Sequence, residues 1–167
     1  MMQYSTGVKL AAMAALIFVA GCASKPKPAE APPGPAAETQ SNIVPGSAED
    51  LRVNVGDTVH FAYDSYAIES NDRLTLQRQA AWLQKYPSIR VTIEGNCDER
   101  GTREYNLALG ARRANAVKEF LVSLGVSPAR LDTISYGKER PICTESTDSC
   151  WAQNRRGVTA ITGGASS

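Results

Sequence analysis

The chain has 167 residues, of which 43% are hydrophobic and 21% are charged, and its formal net charge is +1. These values are ordinary for a globular protein, and the length suits one domain with additional segments. The sequence has neither a basic excess nor an acidic tail, so its charge gives no support to a function in nucleic-acid binding.

The first 21 residues have the pattern of a secretory signal peptide. Lys9 precedes an unbroken apolar run over residues 10–20, which is shorter than the roughly 20 residues of a membrane span and fits a signal core of roughly 7–15 residues. Residues 19–22 read VAGC and resemble the lipobox of bacterial lipoproteins. This resemblance implies cleavage before Cys22 and its modification by an N-acyl and an S-diacylglycerol lipid. An ordinary secretory signal with an incidental cysteine is the alternative.

Residues 22–50 are predicted to be a lipidated tether. Six of the nine prolines lie in this segment, which therefore buries too little apolar surface to fold; they are Pro26, Pro28, Pro32, Pro33, Pro35 and Pro45. Fully extended, the tether would span roughly 85 Å, at about 3.1 Å per residue. Lipoproteins of this kind that stay in the inner membrane commonly carry Asp after the lipidated cysteine. Ala23 therefore implies a lipid-anchored position on the periplasmic face of the outer membrane.

Residues 51–162 are predicted to form one folded domain, followed by a short tail over residues 163–167. Alternating, β-rich segments predict four strands, over residues 59–63, 89–94, 131–136 and 157–162. Because helical segments separate these strands, we predict an α/β sandwich, in which two main helices pack on one mixed sheet of about four strands.

The two main helices are recognised by apolar spacing and by their end signals. The first covers residues 71–85, with Leu76, Ala80 and Leu83 on one face and Pro87 beyond its end. The second runs from the N-cap Thr102 to Gly125. Its predicted apolar stripe consists of Leu107, Ala114, Val117, Leu121 and Leu124. Shorter helical turns are predicted at Ser127-Pro128 and over residues 151–155.

A polar loop over residues 95–101 carries charges at the end of the second predicted strand. Asp98 lies in this loop, and Arg113 lies on the helix that follows. Because a carboxylate accepts from an ammonium and a guanidinium forks onto a carboxylate, the two residues predict a clamp for a zwitterion. The alternatives are an Asp98 that braces the turn and an Arg113 that is solvated. We expect the fold to survive loss of either residue, since neither belongs to the apolar stripe.

Five segments together carry a resemblance to a known family. They read FAYD, EGNCDERGT, RRANAV, SYGKERP and NRR, at residues 61–64, 94–102, 112–117, 135–141 and 154–156. The chain resembles the OmpA-like family of peptidoglycan-binding domains over residues 51–162, and its layout resembles that of the lipoprotein members. Many members carry His where this chain has Asn96, whose amide cannot titrate.

The resemblance implies a domain that binds the diaminopimelate of the peptidoglycan stem peptide without catalysis. The family's ligand-binding Asp and Arg fall on Asp98 and Arg113. The pocket wall falls on Tyr63, Asp64, Tyr66, Ala67 and Leu109. The implied partners are peptidoglycan, the outer membrane through the lipid anchor, and the periplasmic Tol proteins, chiefly TolB. Together they would form an envelope system that acts in cell division.

The other cysteines suggest a disulfide and a buried thiol. Cys143 and Cys150 bracket a six-residue loop in an exported chain, which predicts a disulfide that stabilises by about 2–3 kcal/mol. Zinc is disfavoured because a second ligand pair is missing. Cys97 is predicted to be a small buried residue beside the site, with a free reactive thiol as the alternative. Structural roles are predicted for four further residues, Trp82, Trp151, Arg155 and Arg156.

Two other classes of function compete with a binding module. An enzyme that acts on peptidoglycan is disfavoured, because the sequence has one His and offers no convincing nucleophile–base pair or metal-ligand cluster. A purely structural lipoprotein without a ligand is the other alternative. We expect no metal and no cofactor apart from the covalent lipid. Binding to isolated cell-wall sacculi without their release would distinguish the binding module from the enzyme.

Overall fold

The computed structural model describes residues 43–165. The predicted signal peptide, Cys22 and most of the predicted tether lie outside these residues. The described elements, in chain order, are helix α1 (Ala48–Asp50) with a π-helical turn (Leu51–Val55), strand β1 (Thr58–His60), helix α2 (Ser70–Lys85), strand β2 (Arg90–Asn96), helix α3 (Arg103–Ser123), a 3-10 turn (Pro128–Arg130), strand β3 (Leu131–Gly137), helix α4 (Asp148–Asn154) and strand β4 (Arg156–Gly163). In this part of the chain, no helix combines the length and the apolar character needed to cross a membrane.

The four strands form one mixed sheet in the order β1-β4-β2-β3. Strand β4 is antiparallel to both of its neighbours, whereas β2 and β3 are parallel. A parallel pair needs a crossover connection, and α3 lies within the connection between β2 and β3. The predicted α/β sandwich with one mixed sheet and two main helices is confirmed.

The core lies between the sheet and the two main helices. Helix α2 contributes Leu76 and Leu83, and α3 contributes Val117 and Leu121, all of them buried. From the sheet, Val91 and Ile93 of β2 join the same cluster. Burying a side chain of this size contributes about 1.5–3 kcal/mol, so these residues anchor both helices to the sheet.

One member of the predicted stripe is wrong. Leu107 is 49% exposed, and the buried face at this end of α3 passes instead through Asn106, Leu109, Gly110 and Arg113. Asn106, Gly110 and Ala114 are spaced by four residues, which is about one turn of an α-helix, so they lie on the same inner face. The polar Asn106 and Arg113 therefore occupy positions that apolar spacing does not reveal.

The fold begins slightly before the predicted domain start. Ser47 caps α1 through the N–H of Asp50, and Asp50 accepts a hydrogen bond of 2.9 Å from the indole of Trp82. Trp82 is buried on α2, as its predicted packing role requires. Residues 48–50, which composition places in the predicted tether, thus form the first helix of the fold.

Strand β2 and helix α3 approach each other closely at two glycines. A Cβ atom on Gly95 would lie 1.8 Å from the carbonyl oxygen of Gly110, and a Cβ on Gly110 would lie 2.9 Å from the carbonyl oxygen of Gly95. Real Cβ atoms do not make contacts as short as the first of these, so Gly95 must be glycine here. This contact brings the end of β2, which leads into the loop of Asp98, against the first half of α3, which carries Arg113.

Candidate functional site

A pocket of about 330 Å³ lies beyond the end of β2. Its lining comes from the loop after β1, the loop after β2, the first half of α3 and the residue after α4. The structure brings five of the predicted site residues together in this lining, namely Tyr63, Asp64, Asp98, Leu109 and Arg113.

Asp98 is a buried carboxylate held by two arginines. Its Oδ1 accepts from the backbone N–H of Arg100 at 3.1 Å and from the Nε of Arg100 at 3.3 Å. Its Oδ2 accepts from the Nη2 of Arg100 at 2.6 Å and from the Nη1 of Arg155 at 3.3 Å. Burial alone would raise the pKa of Asp98, but the hydrogen bonds from Arg100 and Arg155 outweigh it and hold this pKa below its ordinary value. The carboxylate is therefore ionised at neutral pH.

Arg113 is buried at the inner end of the pocket and holds three segments of backbone. It is 1% exposed. Its Nε donates to the carbonyl of Ser65 at 2.8 Å, its Nη1 to that of Asn96 at 2.8 Å, and its Nη2 to that of Ala62 at 3.1 Å. Burial lowers its pKa from the ordinary value. This side chain thus ties α3 to the end of β2 and to the loop after β1, a structural role that its place outside the apolar stripe did not indicate.

The same contacts explain why β1 is shorter than predicted. The strand ends at His60 rather than at residue 63, since the carbonyls of Ala62 and Ser65 turn towards Arg113. Asp64 then adopts a φ of 51°, in the left-handed region that non-glycine residues enter mainly at turns.

This turn takes two of the predicted wall residues away from the pocket. Tyr66 and Ala67 do not belong to the lining. The ring of Tyr66 is 51% exposed and lies 5.9 Å from the guanidinium of Arg112, which neighbours Arg113 but is exposed. The backbone N–H of Ala67 donates to the hydroxyl of Ser65. Both residues therefore lie outside the lining of this pocket, and their contact with a ligand stays a prediction.

A group of side chains surrounds Arg100 at the pocket. We call it the mouth; it comprises Tyr63 and Arg100, which line the pocket, together with Trp151, which lies against Arg100, and Glu99, which bonds Trp151. The guanidinium of Arg100 lies between two rings, 4.1 Å from the centroid of Tyr63 and 4.0 Å from that of Trp151. Glu99 accepts from the hydroxyl of Ser146 at 2.7 Å and from the indole of Trp151 at 2.9 Å, and these bonds lower the pKa of Glu99.

Several of these residues were not predicted to belong to the site. The sequence predicts structural roles for Trp151 and Arg155, whereas Trp151 forms one side of the mouth and Arg155 bonds Asp98 and lines the pocket. Tyr105, on α3, also lines the pocket, and its hydroxyl donates to Asp64. Arg100 and Arg155 both lie in the segments that carry the family resemblance, so those segments could have identified them as site residues.

The cysteines near the pocket have separate roles. Cys143 and Cys150 are joined in a disulfide, which closes the loop that carries Ser146 and directly precedes Trp151. Cys97 is a free, buried thiol whose Sγ donates to the carbonyl of Asn106 at 3.3 Å. Burial raises the pKa of Cys97, so the thiol is protonated at neutral pH and is a poor nucleophile. Among residues 43–165, no group of three or more His, Cys, Asp or Glu could hold a metal ion.

The chain is similar to known proteins of one family. Residues 60–155 match the model of the OmpA family. The peptidoglycan-associated lipoprotein of Mesorhizobium japonicum is 52% identical over 159 residues, which cover 93% of this chain and 92% of that protein. The crystal structure of the peptidoglycan-associated lipoprotein from Burkholderia pseudomallei superposes with a TM-score of 0.62 at 42% identity, covering 64% of this chain and 90% of that one. The C-terminal domain of Helicobacter pylori MotB superposes with a TM-score of 0.60 at 28% identity, covering 64% of this chain and 84% of that one.

Proposed function

Since the chain belongs to the OmpA family, among its peptidoglycan-associated lipoproteins, we propose that its folded domain binds the stem peptide of peptidoglycan through diaminopimelate. The observation that carries this proposal is the buried, ionised carboxylate of Asp98 in a pocket that also contains Arg113. Diaminopimelate ends in a free ammonium and a free carboxylate on one carbon, which are complementary to the charges of Asp98 and Arg113.

The two charges of the ligand have separate receptors in this proposal. Asp98 accepts from the ammonium. The carboxylate binds Arg113, whose two terminal nitrogens each carry two N–H groups and each make one hydrogen bond to a carbonyl. Charge-assisted hydrogen bonds of this kind contribute about 1.5–3 kcal/mol each. A stem peptide that carries lysine lacks the distal carboxylate, so it would leave Arg113 without this partner and bind less tightly.

Binding is tested by calorimetry with the soluble domain and two stem peptides, one with diaminopimelate and one with lysine. We expect the parent to prefer the diaminopimelate peptide. Asp98→Asn should weaken its binding by more than tenfold, because truncating one side of a buried charge pair costs about 2–5 kcal/mol. Asp132→Asn, which neutralises an exposed carboxylate on β3, is the matched control. Parental affinity of Asp98→Asn would contradict the proposal.

The wider role that we propose is a non-covalent tether between the outer membrane and the cell wall. Acyl chains on Cys22 would anchor the chain, because more than one chain is needed for stable membrane attachment. The proline-rich segment would let the domain reach the wall. TolB and other Tol proteins are the proposed protein partners, in a system that supports envelope integrity and cell division.

Lipidation and the absence of catalysis have separate tests. Cys22→Ser should abolish acylation and leave the protein uncleaved or released into the periplasm, as mass spectrometry of the mature N-terminus would show. Cleavage at another position without acyl chains would contradict the anchor. Purified domain should sediment with isolated sacculi without releasing muropeptides; release would favour an enzyme, and failure to sediment would favour a structural lipoprotein without a ligand.

A further inference from the structure

The carboxylate of Asp98 has no acceptor position left for a ligand. A carboxylate offers about four lone-pair positions, and Asp98 receives four hydrogen bonds, three from Arg100 and one from Arg155. Its side chain is 5% exposed. A ligand ammonium therefore cannot simply be added to Asp98, and one of the two arginine side chains must first leave.

Arg100 is the side chain that can leave at the smaller cost. Among the described residues it donates side-chain hydrogen bonds to Asp98 alone, and its side chain is 30% exposed. Arg155 is 15% exposed, and its Nε also donates to the carbonyl of Phe61 at 2.9 Å. Moving Arg155 would leave that carbonyl without its partner, whereas moving the Arg100 side chain breaks hydrogen bonds only to Asp98, which the ammonium of the ligand replaces.

The mouth also provides a place for the displaced guanidinium. The rings of Tyr63 and Trp151 enclose it from two sides, and Tyr63 is 63% exposed. A guanidinium keeps part of its attraction to aromatic faces when it shifts along them towards solvent. The backbone of residue 100 stays in place meanwhile, since its carbonyl accepts from the side chain of Asn106 at 2.7 Å.

We propose that Arg100 is a built-in stand-in for the ligand's ammonium, and that it thereby determines the affinity of the pocket. In the free protein it occupies Asp98; on binding, the ammonium takes its place and Arg100 moves outward between Tyr63 and Trp151. This proposal rests on the proposed function, because it requires that Asp98 accepts the ammonium. Every ligand that uses Asp98 must displace Arg100, so the cost is the same for all of them.

The test is a calorimetric comparison of Arg100→Ala and the parent with both stem peptides. Removing the stand-in should tighten binding of the diaminopimelate and the lysine peptide by the same factor, about fivefold for an ion pair at the upper end of the exposed range. Arg100→Lys, which keeps the charge but loses the fork, should fall between. Arg103→Ala is the control for the loss of a nearby positive charge, since its side chain is 72% exposed and pairs with Glu139; it should bind as the parent does.

A second readout follows the side chain itself. In an NMR titration of the parent with the diaminopimelate peptide, the Nε–H signal of Arg100 should shift strongly. The Nε–H signal of Arg155, which stays on the carbonyl of Phe61, should shift little. Thermal unfolding of each variant verifies that the fold is retained.

Each remaining outcome decides against the stand-in. Weaker binding of the diaminopimelate peptide by Arg100→Ala would show that Arg100 contacts the ligand, and unchanged binding would show that it is not in the way. Unequal factors for the two peptides would make Arg100 a receptor for the carboxylate. If the parent binds neither peptide, or if Asp98→Asn binds as the parent does, the proposed function has failed, and the stand-in fails with it.

Discussion

Two groups of residues at the pocket are held in different ways. The first, which we call the floor, comprises Gly95, Gly110 and Arg113, and its hydrogen bonds and closest approach involve backbone atoms. Arg113 donates to three carbonyls, and the two glycines bring strand and helix together. At the mouth, the contacts join side chains to side chains, as in the pair of Arg100 with Asp98 and the pair of Trp151 with Glu99.

This difference separates residues that build the pocket from residues that adjust it. A carbonyl oxygen at the floor moves only when its strand or loop moves. A substitution at the floor therefore lowers the stability of the fold. A side chain at the mouth exchanges one partner for another by rotation, at the cost of a partly exposed ion pair. We therefore expect substitutions at the floor to affect stability first and those at the mouth to affect binding first.

The largest effect is expected at the glycine contact of the floor. In Gly95→Ala the new Cβ would lie 1.8 Å from the carbonyl oxygen of Gly110, so strand and helix must separate. We expect a loss of more than about 4 kcal/mol, or no folded protein, which exceeds ordinary overpacking because backbone atoms clash. Urea unfolding measures this loss. Gly163→Ala is the control, since a Cβ there meets nothing within 4 Å; similar losses in both would contradict the role of the contact.

Arg113→Ala should have the next largest effect. It leaves the carbonyls of Ala62, Ser65 and Asn96 without their donor, and each buried group without a partner costs about 1–3 kcal/mol. Allowing for water that enters the space, we expect the free energy of unfolding to fall by about 3–4 kcal/mol. Arg112→Ala removes the adjacent, exposed arginine and should change stability little. Equal stability of Arg113→Ala and the parent would remove the distinction between floor and mouth.

The sequence predicted the layers of this fold well because apolar spacing determines them. The faces of α2 and of the second half of α3 are set by leucine, valine and alanine, and the alternation of strands and helices requires a crossover between β2 and β3. The first half of α3 did not follow this rule. There the inner face carries Asn106, Gly110 and Arg113, residue types that periodic analysis assigns to the surface.

The chemistry of the site was harder to predict than its position. Asp98 and Arg113 were identified by charge type and by family resemblance, and both line the pocket. Their partners depend on the path of the backbone. Asp98 pairs with Arg100 because the loop after β2 turns back on itself, and Trp151 reaches Arg100 from far along the chain. Such pairings depend on loop conformation, which residue type and spacing do not specify.

Loss of the disulfide should lower stability by less than the substitutions at the floor, because it affects a loop beside the mouth. The bond between Cys143 and Cys150 closes the loop that carries Ser146, a partner of Glu99. The double serine variant should lose about 2–3 kcal/mol, the loop entropy of so short a ring, and should keep its fold. Thermal unfolding measures the loss, with the reduced parent as control. Peptide mapping should find Cys97 unpaired; a disulfide that includes Cys97 would contradict the assignment.

The smallest expected effect is the dependence of stability on pH through Asp98. Hydrogen bonds from Arg100 and Arg155 hold the pKa of this carboxylate in the folded state below its ordinary value of 3.8, in spite of burial. A lowered pKa contributes stability above the unfolded value, and this contribution is lost as the pH falls through the folded pKa. The difference in unfolding free energy between the parent and Asp98→Asn should therefore be constant from pH 7 to about pH 5 and shrink below about pH 4.

Urea unfolding of both proteins between pH 7 and pH 2 measures this difference, and Asp132→Asn corrects for the loss of one negative charge. Repeating the measurement in the Arg100→Ala background isolates the effect of Arg100 on the pKa of Asp98. Without its main partner, Asp98 should have a higher pKa, so the parent's advantage over Asp98→Asn, remeasured in the Arg100→Ala background, should be smaller and should be fully lost at a higher pH. If both backgrounds lose the difference at the same pH, Arg100 does not hold the carboxylate in solution, and Arg155 with the surrounding backbone must hold it instead.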